Sequence, residues 1–409
     1  MADHVSRQQL SYEKWLEIVQ PQITKHVQQN FAHYFPQLAG QQPLSVVMVK
    51  APRHKRYTVI FDLAVQANNG RCVKRLIAKA YHLMPGRGPK ELDLAHKSRH
   101  EFEMHQKVFD CFRTQEEEFH IVKPLDYIPE LLCLIIERAE GRDLGSLIQS
   151  VKHSSWHFEE NKEKLGAHFR RAGKWLALFH SGFASNTDTY FEPTHFEEQM
   201  QRYWNRIASA HVSAQDLNSM QSRLRSLLQV FAGAPLPQAQ LHGDLKPCHI
   251  FVTENTLFPL DFGNTLVGVT YYDVAQMLVE CKLFDLGVAL PMHSHLINYL
   301  QRQFIQGYFG EKRWQPLLRF YYILWLCAKW DRRLRKHKWM LHPFAKKIDT
   351  LIRTTTVRDF VNRKYFTPWF HKVLMRELDI LERKIAKFDS SPQSQEVKHE
   401  SSPCLSARC

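Results

Sequence analysis

Two aspartates sit in stretches whose residue types and spacing could do chemistry. Asp244 lies in Leu241-His242-Gly243-Asp244-Leu245-Lys246-Pro247-Cys248-His249-Ile250, and Asp261 follows seventeen residues later in Leu260-Asp261-Phe262-Gly263-Asn264. Phosphoryl transfer needs such a pair. It asks little covalent help of the protein: a carboxylate to orient and deprotonate the attacking hydroxyl, and ligands to hold Mg2+ across the phosphates. Either tripeptide alone, His-Gly-Asp or Asp-Phe-Gly, also reads as an ordinary turn, but the order and spacing of the two together argue for a site. The expectation is two loops, at the ends of adjacent short strands, that bring both carboxylates to one metal-bound triphosphate.

The elements that must position these loops are legible as patterns. Residues 1–42 read as a helical, Gln-rich extension without a functional motif. From Ser45 to Lys50 the chain is β-rich. Tyr57, Val59, Phe61, Leu63 and Val65 then alternate with Thr58, Ile60, Asp62, Ala64 and Gln66, the period of a strand. Asn68-Asn69-Gly70 signals a turn, and Val73, Arg75, Ile77 and Lys79 alternate again, so two antiparallel strands end near Tyr81. A Gly/Pro loop, Pro85 to Pro89, precedes a helical stretch from Glu91 to Phe112, and a second strand pair fits Ile121–Tyr127 and Leu131–Glu137. Beyond Gly141 the pattern is mostly helical, with Leu165, Phe169, Ala172, Leu176 and Phe179 on one face. Short strands at Ile250–Val252 and Phe258–Leu260 interrupt it. The fold class predicted is α+β in two lobes: a small antiparallel-sheet N-lobe over 43–140, a larger helical C-lobe over 141–388 with a cleft between them, and a disordered Ser/Pro-rich tail over 389–409.

Bulk properties set the outer bounds. The chain has 409 residues, 44% hydrophobic and 23% charged, enough for a large two-lobed domain. Its net charge of +14, before any contribution from 23 histidines, favours polyanionic partners over a polycationic substrate. The eight cysteines show no CxxC pair and read as thiols in a reducing compartment, which argues against zinc. The longest apolar run, Phe320 to Ala328, falls well short of the roughly 20 residues needed to span a bilayer. The expected location is cytoplasmic, or peripheral at the inner face of the membrane.

With these residues in hand, the chain resembles the aminoglycoside phosphotransferase and choline kinase family, which has the protein-kinase fold, over roughly residues 45–290. The resemblance implies ATP and Mg2+, with Asp244 as base and Asp261 as metal ligand. Lys246 matches a lysine that touches the transferring phosphate, with a solvated lysine as the alternative. His242 and Asp273, the latter in Tyr272-Asp273-Val274-Ala275, would support the catalytic loop. Leu76-Ile77-Ala78-Lys79 resembles the strand motif whose lysine meets the α/β-phosphates, with a solvated lysine on a strand already bearing Lys74 and Arg75 as the alternative. Its helical partner is Glu101 or Glu103; Met104 and Val108 place Glu101 beside the buried face. Glu137 to Leu144 resembles the hinge, where backbone groups of Glu137 and Ala139 would meet adenine and Gly141 would turn the chain. No GxGxxG is present, and Ala51 to Arg56 could supply cations instead or be an exposed basic tip.

His249 departs from the family, which has Asn there with a carbonyl oxygen on the metal. Imidazole nitrogen suits a hard cation less well. Cys248-His249 also resembles lipopolysaccharide core kinases, which phosphorylate sugar hydroxyls on membrane glycolipids but lack Asp-Phe-Gly. His249 thus reads as a nitrogen ligand, a brace for the loop, or the mark of a damaged site in a nucleotide-binding pseudokinase. A Ser/Thr protein kinase is a further alternative, disfavoured by His-Gly-Asp in place of His-Arg-Asp. Arg332, Arg333, Arg335, Lys336, Lys338, Lys346 and Lys347, interleaved with Trp330, Trp339 and Phe344, form a basic stretch over 332–347. It reads as a solvated helix face, a contact for an anionic membrane or glycan, or, without any recognition motif, a nucleic-acid surface.

Overall fold

A computed structural model describes residues 11–41, 44–55, 57–82, 93–114, 118–153, 157–208, 212–286, 294–310, 316–335 and 360–389. The chain divides into two compact units, Met1–Arg142 with His249–Thr265, and Asp143–Cys248 with Leu266–Cys409.

The first unit is built on a six-stranded antiparallel sheet. Its strands are β1 (Leu44–Met48), β2 (Arg53–His54), β3 (Thr58–Ala67), β4 (Cys72–Tyr81), β5 (Pro124–Ile128) and β6 (Cys133–Glu137), in the order β1-β3-β4-β6-β5 with β2 also on β3. The period of two on β4 sends Leu76, Ala78 and Ala80 to one face, where all are fully buried, and Arg75, Ile77, Lys79 and Tyr81 to the other. The first face is covered by the amino-terminal helix α1 (Tyr12–Tyr34). Trp15, Val19, Ile23, Val27 and Phe31 recur every four residues, and this stripe packs on Phe61, Leu63, Val65, Leu76 and Ile135. The Gln-rich stretch is therefore one wall of the sheet's core, and its polar residues are the solvent side of an amphipathic helix. His26 and Tyr34 tie it further to Asp126 of β5, at 2.8 and 2.6 Å.

The other face carries helix α2 (Leu94–Phe112) and a hairpin of strands Ile250–Val252 and Leu257–Pro259. On β3 simple alternation fails, because both faces are covered: Asp62 is 2% exposed and receives Arg75 at 2.8 Å and Lys50 at 3.2 Å. Burial alone would raise its carboxyl; these cations and Arg138 outweigh it and hold Asp62 below the usual carboxylate range. Gly141 has φ +76°, and a Cβ there would stand 2.0 Å from the Val252 carbonyl oxygen, so conformation and space both demand glycine.

The second unit is helical: α3 (Leu144–His153), α4 (Phe158–Gly182), α5 (Pro193–Ile207), α6 (Ala214–Gln229), α7 (Tyr271–Lys282), α8 (Ser294–Phe309), α9 (Leu317–Arg335) and α10 (Thr367–Asp389). The predicted stripe on α4, Leu165 to Phe179, is buried throughout. An antiparallel strand pair, Gln238–Leu241 with Leu266–Val269, carries the chain into the Asp244 loop. The loop Pro85–Pro89, Arg56, the basic residues from Lys336 to Lys347 and the tail from residue 390 lie outside the described residues. Of the basic stretch that is described, Arg332 is exposed and Arg333 lies over the Phe366 ring at 5.8 Å. No helix among the described residues is long and apolar enough to cross a membrane.

Candidate functional site

In the first unit, register sets the geometry. Lys79 on β4 pairs with Ile60 of β3 and Leu134 of β6, so its side chain leaves the sheet on the face opposite α1. There Nζ donates to Glu101 Oε1 of α2 at 2.7 Å and to Asp261 Oδ1 at 2.8 Å. Glu103, two residues along the helix, is exposed and takes no part. Burial opposes the charge on Lys79, but Asp261 and Glu101 outweigh it and hold the ammonium well above the ordinary lysine range. Tyr81, two residues on and therefore on the same face, donates its hydroxyl to Glu101 Oε2. Burial, opposed by the Lys79 charge but joined by the carboxylates, raises the Tyr81 hydroxyl, so it remains a donor.

Asp261 follows the strand Leu257–Pro259 and has φ +74°, a left-handed conformation rare for a side chain with Cβ. Strain of this kind concentrates where a side chain must be aimed. His249 Nε2 is 3.3 Å from Asp261 Oδ2, and the His249 carbonyl accepts from the Leu260 N–H at 2.9 Å. One ammonium thus stands against two carboxylates, and the excess negative charge fits a divalent cation at Asp261. His249 is placed either to join it through nitrogen or to brace the carboxylate. Gly263 leaves room for Glu101, whose Oε2 would lie 2.9 Å from a Cβ there. The same loop is tethered to α2 by Lys97, which donates to the Gly263 carbonyl at 2.8 Å and Asn264 Oδ1 at 2.9 Å, and by His100, 2.8 Å from Thr265 Oγ1.

The residues expected at a hinge make contacts within the first unit. Glu137 pairs its carboxylate with Lys74 at 3.0 Å, and its N–H donates to the Lys123 carbonyl at 3.0 Å. Arg138 N–H goes to Arg75 O at 3.1 Å, and Ala139 is buried against Phe258 and its neighbours. Arg53 and His54 form a strand on the edge of β3 rather than an open loop.

In the second unit, Asp273 at the start of α7 accepts from the backbone N–H of His242 at 2.6 Å and of Gly243 at 2.9 Å. His180 contacts the same carboxylate at 3.2 Å and is itself held by Tyr308 at 2.8 Å. His242 is fully buried, edge-on to Trp175, and its Nδ1 accepts from the Asp244 N–H at 3.4 Å. The loop is thereby fixed from both sides, with Asp244 partly exposed. Lys246 donates to Asp244 Oδ2 at 2.6 Å and Gln276 Nε2 to Asp244 Oδ1 at 3.2 Å. Burial opposes the Lys246 charge, and Asp244 outweighs it, so the ammonium is raised. The two short strands expected around Ile250–Val252 and Phe258–Leu260 form an antiparallel pair, Ile250–Val252 with Leu257–Pro259, and Asp261 follows its end. The strand Leu266–Val269, which pairs with Gln238–Leu241, was not expected.

The structure thus brings Lys79, Glu101, Asp261 and His249 together in one unit, and Asp244, Lys246, His242 and Asp273 in the other. Sequence reading passed over Tyr81, Lys97, His100, His180 and Gln276. Two of these carried a signal: Tyr81 shares its strand face with Lys79, and Lys97 lies one helical turn before Glu101.

A model of the phosphotransferase enzyme family matches residues 81–316, more than half of the chain. Among solved structures, the chain is similar to a choline/ethanolamine kinase family protein from Mesorhizobium loti, at 14% identity over 88% of this chain and 98% of that one, with a TM-score of 0.45. It is similar to a glucosamine kinase in complex with glucosamine, ADP and inorganic phosphate (14% identity, 88% and 87% covered, TM-score 0.47). A choline kinase from Streptococcus pneumoniae gives 14%, 87% and 99%, with a TM-score of 0.41. No curated protein matches the chain.

Proposed function

Because the chain belongs to the phosphotransferase enzyme family, we propose that it transfers the γ-phosphate of ATP to a hydroxyl of a small molecule or sugar, with Mg2+ as the metal. The observation that carries this reading is the Lys79 ammonium held by Glu101 and Asp261. It is a preorganised cation for phosphate oxygens beside a carboxylate for a metal. Asp244 accepts the proton of the acceptor hydroxyl as that oxygen bonds to the γ-phosphorus. The bond from the γ-phosphorus to the β-phosphate oxygen breaks, and ADP leaves. Lys246 and Lys79 neutralise phosphate charge. Asp261 would hold Mg2+, with His249 as nitrogen ligand or brace, and the metal would supply neutralisation of phosphate charge. Adenine would be met near Ala139, because the N–H groups of Glu137 and Arg138 are engaged within the unit.

The net charge of +14 favours a neutral or anionic acceptor, such as a cell-envelope glycan reached at the membrane surface, over a polycation. Asp244→Ala should cut ATP turnover by a factor on the order of 10^2–10^4 while the rise in Tm on adding ATP persists. Undiminished turnover in that variant would overturn the reading. His249 also motivates a pseudokinase, and ATP titrations with and without Mg2+ separate the two: an ATP-induced Tm shift independent of Mg2+ favours the pseudokinase.

A further inference from the structure

One face of α7 carries three polar side chains, Asp273, Gln276 and Glu280, spaced as i, i+3 and i+7. Asp273 holds the loop backbone, and Glu280 receives the buried ammonium of Lys329. Between them Gln276, 1% exposed, donates Nε2 to Asp244 Oδ1 at 3.2 Å. We propose that Gln276 is the positioning residue that fixes the orientation of the Asp244 carboxylate for proton abstraction, leaving Oδ2 as the oxygen that takes the proton. This rests on the reading of Asp244 as the base.

The two donors on Asp244 differ in kind. Lys246 is partly exposed and charged, so a phosphate brought beside it competes directly for its ammonium. When Lys246 turns to phosphate, its hold on Oδ2 is given up, and that oxygen is the one turned toward the acceptor hydroxyl. Gln276 is neutral and buried, with no such competitor, and keeps its grip on Oδ1. Its own amide orientation is dictated by this contact: reversing it would set the Oε1 carbonyl against a carboxylate, acceptor against acceptor. The cost of the observed orientation is visible, since Oε1 is buried without a hydrogen-bond partner among the described residues. Orphaned buried carbonyls are unfavourable, and one retained beside a reactive group marks a constraint other than stability. Because Asp273 and Gln276 lie one turn apart on the same helix, α7 sets both the loop backbone and its reactive side chain.

The test is Gln276→Met, close in volume but lacking both the donor and the orphaned oxygen, with Gln276→Leu as a second variant should Met not pack. ATP with Mg2+ and water as acceptor serves as the probe, read as phosphate release, with Asp244→Asn alongside. The positioning role predicts kcat reduced about tenfold or more, KM for ATP within about twofold of wild type, and a Tm equal or higher. A merely structural role predicts a lower Tm with kcat intact. Crystal structures of wild type and variant read the same point without activity: the Asp244 carboxylate rotates when Gln276 is replaced. An unchanged carboxylate plane, or unchanged kcat in Gln276→Met while Asp244→Asn is inactive, overturns the inference and leaves the proposed function standing. Turnover undiminished in Asp244→Asn overturns the function instead, and the carboxylate plane still decides whether Gln276 holds it.

Discussion

In the first unit one ammonium, Lys79, lies between two carboxylates; in the second one carboxylate, Asp244, lies between two donors, Lys246 and Gln276. The first arrangement is fixed by charge. Its members repel or fall apart if the central cation is lost, and Tyr81 adds a neutral contact on Glu101 alone. The second is fixed half by charge and half by a neutral amide, so it can release Lys246 and keep its geometry. On the proposed function, the first group gains from strong fixed charges to hold phosphate and metal, whereas Asp244 needs an oxygen from which Lys246 can withdraw to take a proton.

The contrast predicts unequal sensitivity. Lys79→Met should lower ATP turnover by about 10^2–10^3-fold, the size seen when one preorganised electrostatic partner is removed. It should also abolish the ATP-induced rise in Tm. A variant that keeps that rise in full would place phosphate recognition elsewhere. The sheet of the first unit also leans on α1. Trp15→Ala, at a 4% exposed position against that sheet, should destabilise by about 3–5 kcal/mol in chemical denaturation. A loss below 1 kcal/mol would mean the helix is dispensable.

Smaller effects sharpen the same comparison. Glu101→Gln keeps a hydrogen bond to Lys79 but not the ion pair, and should lower turnover about tenfold, because a charge-assisted bond is worth roughly twice a neutral one. No change would mean that charge does not fix this site. Acid should also act on the first unit through His105, which is buried, 2.8 Å from the Val122 carbonyl and edge-on to Phe262. Burial, with the Lys79 charge, outweighs that hydrogen bond and pulls the imidazole down to about 4. The unfolded chain takes up the proton near pH 6.5 and the folded one only near 4. The stability His105 contributes is therefore full above about pH 6.5 and declines as the pH falls toward 4, by up to about 1.4 kcal/mol per pH unit. Denaturation midpoints measured from pH 7 to 4.5 check this, and His105→Phe should flatten the decline.

What the sequence showed, and what it hid, follows from how far apart the partners lie. The Asp244 and Asp261 motifs are local strings, and Lys79 sits on a strand with a clear period of two, so these could be read directly. Glu101 could be favoured over Glu103 from helical phase alone. Gln276 carried no such mark, because a glutamine on a helix means nothing until a loop thirty-two residues away is placed against it. Likewise Leu266–Val269 is too short to signal a strand without its partner Gln238–Leu241. On α1 the four-residue apolar repeat was present, but the glutamines on its other face masked it. The positive φ of Asp261 is only weakly signalled by residue type, since glycine leads there and asparagine and aspartate enter that region occasionally.

Phosphoryl transfer from ATP to a hydroxyl can be followed by 31P NMR of the protein with ATP, Mg2+ and a panel of sugars and glycan fragments. Transfer should show as loss of the γ-phosphate resonance, growth of ADP and appearance of a phosphomonoester signal, all abolished when Mg2+ is chelated. ATP that stays intact against every acceptor, water included, or phosphate release unaffected by chelation, would contradict it.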